Sequence, residues 1–413
     1  LLSFCVSPRR VGDDIPRGPV YPTPMAIARL NHATAIIVLV TAVGLLGFQA
    51  VSPALPGMRD ALDISTTHIG WVMTAYAIPA FIFVPLTGLW ADRYGKKVVL
   101  VPSLLIFGVA GGLITFAPDA PMVFALRFVQ GIGGAAIITL NYALLGDLFS
   151  GARRTRIAGW LGAVQNVGSS AVPIVAGALA TVAWFWPFML LWIAVPIAIY
   201  AALCLDEANI EQKPRGSAFL GHAWRHLASR PVIETLIMTG GFIFVGFGAL
   251  ITYLPLFMTD TFGASEFAIG LIMGARAISG VFMATGLAKL EAVASRRTLV
   301  SVSFVAIAIS TGIVPFAPNM WGLLVSSILY GGAFGIVRPM LQLMLLDLSP
   351  PDLRATLSSA GTFALRLGQA VSPVAAGAYL AFGSYDGMYL GFGAIALGFA
   401  IYAFWAQCLQ PID

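Results

Sequence analysis

Apolar residues run along this chain in stretches long enough to cross a bilayer, and polar residues fall mainly in the gaps. Twelve stretches stand out: 30–52, 68–90, 98–117, 121–146, 157–182, 185–205, 231–258, 266–288, 298–317, 319–346, 355–381 and 386–408. About 20 consecutive apolar residues span the hydrocarbon core. With no water there, the backbone must satisfy its own hydrogen bonds, so each stretch is predicted to be a helix. One longer polar gap, 206–230, separates six spans from six. The pattern predicts an all-α integral membrane protein with a six-helix bundle over 30–205, a linker over 206–230 and a second bundle over 231–409. Residues 1–29, with Pro8, Pro16, Pro19, Pro22 and Pro24, are expected to form a disordered tail.

The halves repeat one another at an offset of 200 residues. Gly168-Ser169-Ser170-Ala171-Val172-Pro173-Ile174-Val175-Ala176-Gly177-Ala178 returns as Gly368-Gln369-Ala370-Val371-Ser372-Pro373-Val374-Ala375-Ala376-Gly377-Ala378. Phe116-Ala117-Pro118 returns as Phe316-Ala317-Pro318, Ile69-Gly70 with Met73 as Ile269-Gly270 with Met273, and Asp147 and Arg154 as Asp347 and Arg354. Such a repeat marks two pseudo-symmetric membrane halves, the arrangement of a secondary transporter, with the site expected where they meet.

Composition agrees: 59% of residues are hydrophobic and 10% charged, which excludes an ordinary soluble domain. Charge then fixes an orientation. Arg9, Arg10, Arg17 and Arg29 precede the first span. Arg93, Lys96 and Lys97 follow the second, and Arg153, Arg154 and Arg156 the fourth. Lys213, Arg215, Arg225 and Arg230 follow the sixth, Lys289, Arg296 and Arg297 the eighth, and Arg354 the tenth. Of the loop residues, Arg59 alone falls on the other side. The rule that basic loops stay inside makes both termini cytoplasmic in a multi-pass protein of the cell (inner) membrane. The net charge of +5 follows from that topology, and no nucleic-acid partner is expected. Cys5, Cys204 and Cys408 lack metal spacing, and His32, His68, His222 and His226 form no buried cluster. His222 and His226, beside Trp224, read as an interfacial helix. No phosphate-binding loop, zinc-protease motif or triad is present, so neither an enzyme, a metal nor a cofactor is expected.

Three motifs carry a family resemblance. The loop Gly88-Leu89-Trp90-Ala91-Asp92-Arg93-Tyr94-Gly95-Lys96-Lys97-Val98-Val99-Leu100 resembles the signature G-x-L-A-D-R-x-G-R-K-x-x-L of the major facilitator superfamily. Trp90 replaces Leu and Lys96 replaces Arg. Gly88 permits a close helix approach, and Asp92 suits a helix N-terminus. The resemblance implies that this helix is the eleventh span near 355–358. It also implies that Lys96 or Arg93 pairs with Asp147, and that Gly88, Asp92, Arg93, Gly95, Lys96 and Asp147 latch the halves on the cytoplasmic side in the outward-open state. Asp347 and Arg354 are their weaker echo. In the fourth span, Arg127-Phe128-Val129-Gln130-Gly131-Ile132-Gly133-Gly134-Ala135 resembles R-x-x-Q-G-x-G-x-A of proton antiporters, which implies a coupling role for Arg127 and Gln130. An arginine inside a span needs a partner or water. In the fifth span, Gly159, Gly168, Pro173 and Gly177 fit G-x8-G-x3-G-P-x2-G-G of drug and metabolite exporters, with Val172 and Ala176 at two glycine positions. These residues, with Gly368, Pro373 and Gly377, are expected to pack helices closely. The family implies alternating access, most simply proton-coupled efflux of a small organic molecule by a monomer in the lipid bilayer.

In that fold, spans 1, 4, 7 and 10, with 2, 5, 8 and 11, surround a central cavity. Polar residues near mid-span are candidate substrate contacts: Gln49, Tyr76, Asn141, Gln165 and Asn166 in the first half, and Arg276, Arg338, Gln342, Arg366 and Gln369 in the second. Each arginine facing lipid costs at least about 2.5–3.5 kcal/mol, so all three must face water, substrate or partners. No carboxylate sits centrally. Glu234 and Glu266 lie near span ends, and Glu266 joins Arg127 and Gln130 as a coupling candidate. Glu234, the Asp92 network and the substrate's own carboxyl group are other proton routes. An electropositive cavity implies an organic anion, or a neutral molecule rich in acceptors. An uptake or exchange carrier for organic anions is the alternative, and a lipid flippase the alternative of another class. At the repeat offset Tyr76 stands against Arg276, Ile138 against Arg338 and Asn166 against Arg366, so the charge appears in one half.

Overall fold

A computed structural model describes residues 24–205, 222, 224–350 and 353–409. Arg9, Arg10, Arg17 and Cys5 of the tail, and Lys213 and Arg215 of the linker, lie outside the described residues. The helices are α1 Pro24–Gln49, α2 Trp71–Tyr94, α3 Lys96–Leu113, α4 Ala120–Leu148, α5 Gly151–Ala180, α6 Trp186–Cys204, α7 Arg230–Phe262, α8 Glu266–Thr285, α9 Arg296–Gly312, α10 Gly322–Asp347, α11 Arg354–Leu380 and α12 Tyr385–Trp405. They form twelve spans in two pseudo-symmetric six-helix bundles. Ten are apolar enough to span on composition, and α9 joins them through a short helix, Leu287–Val293, that meets it at 117°. The polar exception is α11. It carries Arg354, Arg366, Gln369 and five Ser or Thr residues over 27 positions. So polar a helix is stable in a bilayer when its polar face turns toward protein or water.

Two spans break where they matter. Past Ser52–Ala54, α1 continues as a short helix, Leu55–Ala61. In α7, Phe247–Tyr253 winds into a π-turn, a distortion common beside functional sites. Ser372 of α11 supports it, accepting from the Gly248 N–H at 2.7 Å and donating to the Phe244 carbonyl. Thr252 donates back to the Phe247 carbonyl at 2.9 Å. Polar atoms freed by the irregular backbone thus find partners inside the protein, as the bilayer requires.

The repeat glycines form the seams between the halves, where α5 meets α8 and α2 meets α11. A Cβ on Gly177 would stand 2.4 Å from the Glu266 carbonyl oxygen, and one on Gly377 2.2 Å from that of Thr67. A Cβ on Gly270 would stand 2.5 Å from the Pro173 carbonyl, and one on Gly70 2.7 Å from the Pro373 carbonyl. Pro173 and Pro373 therefore sit at equivalent crossings. Gly368 and Gly168 pack instead within their own halves, Gly368 against the Gly240 carbonyl, 2.6 Å from its would-be Cβ, and Gly168 against the Leu45 side chain at 2.4 Å. Gly159 differs, since nothing lies within 4 Å of where its Cβ would be. It is not a packing glycine in this conformation.

Polar links close the halves on the face opposite the basic loops. Arg59 pairs with Asp260 at 2.8 Å, and the Tyr385 hydroxyl donates to the same carboxylate at 2.8 Å. Ser52 donates to the Ile251 carbonyl, Thr74 to the Ala370 carbonyl at 2.9 Å, and Tyr253 to the Thr66 carbonyl at 3.2 Å. Nearer the basic face, α2 and α11 still touch through Phe81 and Phe363, with ring centroids 4.4 Å apart. Beyond them Gly88, Gly159 and Gly162 face open space. The molecule is sealed on one face and open on the basic one.

Candidate functional site

Between the halves lies a cavity of about 460 Å³. Fourteen of its lining positions are apolar or glycine residues of α1, α7, α8 and α10, including Phe48, Phe247 and Phe334. Its polar wall comes from Gln49 of α1, Tyr142 of α4, Gln165, Asn166 and Ser169 of α5, Arg276 of α8, Arg338 of α10, and Arg366 and Gln369 of α11. Among the described lining residues there are three arginines and no Asp, Glu, Lys or His.

Each arginine lies across an aromatic ring: Arg366 over Phe48 at 5.8 Å, Arg338 over Phe334 at 5.6 Å and Arg276 over Tyr330 at 5.9 Å. A ring face attracts a guanidinium and holds it in a nearly fixed plane without neutralising it. Arg366 donates from Nη1 to Gln369 Oε1 at 3.2 Å. The Nε atoms of Arg276 and Arg366 are buried and have no partner. Tight crossing of α8 on α10 sets the position of Arg276, because a Cβ on Gly331 would fall 1.9 Å from the Arg276 carbonyl oxygen. Across the cavity, Gln165 donates to the Tyr142 hydroxyl at 2.9 Å.

Seven of the ten expected contacts line this space: Gln49, Gln165, Asn166, Arg276, Arg338, Arg366 and Gln369. Three do not. Tyr76 is buried behind Phe48, edge to face at 4.7 Å. Asn141 is buried against α1, donating to the Ile37 carbonyl at 2.9 Å and to Thr41 at 2.7 Å. Gln342 is exposed nearer the basic face, 3.3 Å from Ser358. Tyr142, Phe48, Phe247 and Phe334 were missed. Tyr142 was readable, since it stands one turn beyond Ile138, the repeat partner of Arg338.

Arg127 is fully buried in a cage of acceptors within the first half. It donates to the Val72 carbonyl at 3.0 Å, the Gly47 carbonyl at 3.0 Å and Gln130 at 2.8 Å, and lies 4.6 Å over the Tyr76 ring. Neither Arg127 nor Gln130 lines the cavity. Glu266 is also outside it, as the first residue of α8 at the sealed face, where its side chain lies near Gly57.

The basic face holds two matched ion pairs. Lys96 pairs with Asp147, joining α3 to α4, and Arg296 pairs with Asp347 at 2.5 Å, joining α9 to α10. All four residues obey the 200-residue offset, so the partner of Asp347 is Arg296, while Arg354 stands exposed. Each pair stays inside its half and is present with the basic face open, so neither pair by itself closes the halves. Asp92 is exposed and has no hydrogen bond or ion pair among the described residues, and Arg93 stacks on Tyr94 at 5.4 Å. The expected contact of Gly88 and Asp92 with the start of α11 is not made in this conformation. Gly95 takes φ of 101°, a backbone position that favours glycine, and turns the chain from α2 into α3.

Residues 37–364 and 237–409 match the family model described as Major Facilitator Superfamily. The chain is 36% identical to the bacillibactin exporter of Bacillus subtilis over 152 residues, 35% of this chain and 37% of that protein. It is 29% identical to multidrug resistance protein 1 of the same organism over 59% of this chain and 64% of that one. Against the class B tetracycline resistance protein of Escherichia coli it is 26% identical over 76% and 80%. The first two matches thus span less than two thirds of those relatives' own length. Among solved structures, the fold resembles the nucleoside transporter NupG, with a TM-score of 0.74 and 15% identity over 91% of this chain and 100% of that one. It also resembles the human organic anion transporter MFSD10, with a TM-score of 0.66 and 15% identity over 91% and 99%. Two repeated six-helix halves meeting at a central cavity, matched by that family model over most of the chain, are those of a membrane transporter, and the chain belongs to the Major Facilitator Superfamily.

Proposed function

We propose that the protein exports a small organic anion by alternating access, with its basic face toward the cytoplasm. The observation that carries this reading is a cavity that presents three guanidinium groups and no carboxylate among its described lining residues. A guanidinium keeps its charge and offers a flat fork of donors that fits carboxylate or phosphate oxygens. Phe48, Phe247 and Phe334 add apolar surface for the body of the substrate. The substrate enters from the open basic face, and its negative charge draws Arg276, Arg338 and Arg366 of the second half toward Gln49, Gln165 and Asn166 of the first. Closure around it lets the seams at Gly177 and Gly377 part on the opposite side. The bacillibactin exporter among its relatives supports the outward direction.

Proton coupling, which the motifs imply, lacks a carrier in the cavity. Glu266 is at the sealed face, and Glu234 is buried at the basic end of α7 against Arg230 and the Cys408 N–H. A proton-driven cycle would place the proton on the substrate's own carboxyl group. The reading is tested in proteoliposomes with an aromatic carboxylate, its neutral amide and its matching amine. The carboxylate should be transported at least about tenfold faster than the other two, as expected for loss of a charge-assisted hydrogen bond. Transport of the amine at an equal or higher rate would overturn it.

A further inference from the structure

A carrier that exports its substrate must return. Here the empty cavity would pass through the occluded state holding three guanidinium groups and no internal counter-charge. The titratable side chains that face the cavity are Arg276, Arg338, Arg366 and Tyr142, with Tyr330 packed behind Arg276 and Tyr76 behind Phe48. Carboxylates or histidines could shed charge by exchanging a proton, but guanidinium does not deprotonate in proteins. Burying uncompensated charge is strongly unfavourable. The three guanidinium groups line one cavity, and Arg338 is exposed there.

We infer that the carrier returns loaded: a small inorganic anion occupies the arginine cavity on the leg opposite the organic anion, and the protein is an anion exchanger. Arg276, Arg338 and Arg366 hold this counter-anion, since guanidinium groups suit a phosphate-like oxyanion or a halide. The inference rests on the cavity being an organic-anion site. It replaces the proton as the coupling species, because an inorganic anion supplies the charge compensation that no side chain in the cavity does.

The test is uptake of radiolabelled phosphate or chloride into proteoliposomes of the full chain. Vesicles loaded with phosphate or chloride are compared with vesicles loaded with polyglutamate, which is too large for the cavity. Uptake of at least one tracer should be about tenfold or more faster with a small anion inside, the ratio expected for satisfying one charged donor group. A pH gradient should leave the rate unchanged. Arg338→Gln should abolish the stimulation, and Arg338→Lys, which keeps the charge, should retain part of it. Rates that ignore the internal anion, or that follow the pH gradient, overturn the inference. So does entry of the aromatic carboxylate into polyglutamate-loaded vesicles while neither tracer enters. Failure of the wild-type protein to move the carboxylate at all would instead sink the underlying anion-site reading.

Discussion

Gly377→Ala should open the sealed face. The new Cβ would stand 2.2 Å from the Thr67 carbonyl oxygen and 2.5 Å from the Tyr253 hydroxyl oxygen. An ordinary carbon–oxygen contact is about 3.3–3.6 Å, so the overlap is roughly 1 Å. Thr67 contributes backbone here, which cannot swing aside as a side chain would. Overpacking of this kind costs about 1–3 kcal/mol. The crossing of α2 and α11 belongs to the closed arrangement, so the penalty falls on that conformer and vanishes when the halves part. At 1.4 kcal/mol per tenfold, the closed-to-open ratio should fall by about 5- to 150-fold. Gly177→Ala, 2.4 Å from the Glu266 carbonyl on the matching seam, should act in the same direction. Gly159→Ala enters open space and is the control. The readout is the distance distribution between spin labels on Ala61→Cys and Thr261→Cys in a cysteine-free background reconstituted in nanodiscs. Both positions are exposed at the sealed face. A folded Gly377→Ala protein with the wild-type distribution would refute the wedge.

Two further changes test neighbouring parts. Asp260→Asn removes the ion pair with Arg59 and weakens the acceptor of Tyr385; it should favour opening by about 0.5–1 kcal/mol, read with the same labels, and an unchanged distribution would remove this pair from the seal. Arg127→Lys cannot reach Val72, Gly47 and Gln130 together. Each orphaned buried acceptor should cost about 1–3 kcal/mol, seen as a lower Tm in detergent, and an unchanged Tm would show that the cage does not support the fold.

The sequence displayed the frame well because the bilayer imposes length and apolarity on every span. The repeat showed which glycines matter but not their partners, since Gly177 and Gly377 meet carbonyl groups of distant residues. The Lys96 and Arg296 correspondence is legible as well, although the residue types differ. Facing was the harder problem. In spans such as α2 and α4 nearly every side is apolar, so no polar stripe points toward the cavity. Tyr76 looked available yet lies behind Phe48, while Asn141 is engaged by α1. The arginines were easier to place, because the cost of putting one in lipid leaves few destinations. Arg127 satisfied that constraint in another way, through backbone carbonyl groups that no motif reveals.

Arg338 is the cavity arginine that is exposed among the described residues. The most direct measurement is the transport ratio of an aromatic carboxylate to its neutral amide, taken in wild-type protein and in Arg338→Gln. One charge-assisted contact is worth about 1.5–3 kcal/mol, so the ratio should drop by roughly 10- to 150-fold in the variant, with amide transport little changed. A ratio that stays at the wild-type value in a folded, membrane-inserted Arg338→Gln protein would contradict recognition of the anion by this cavity.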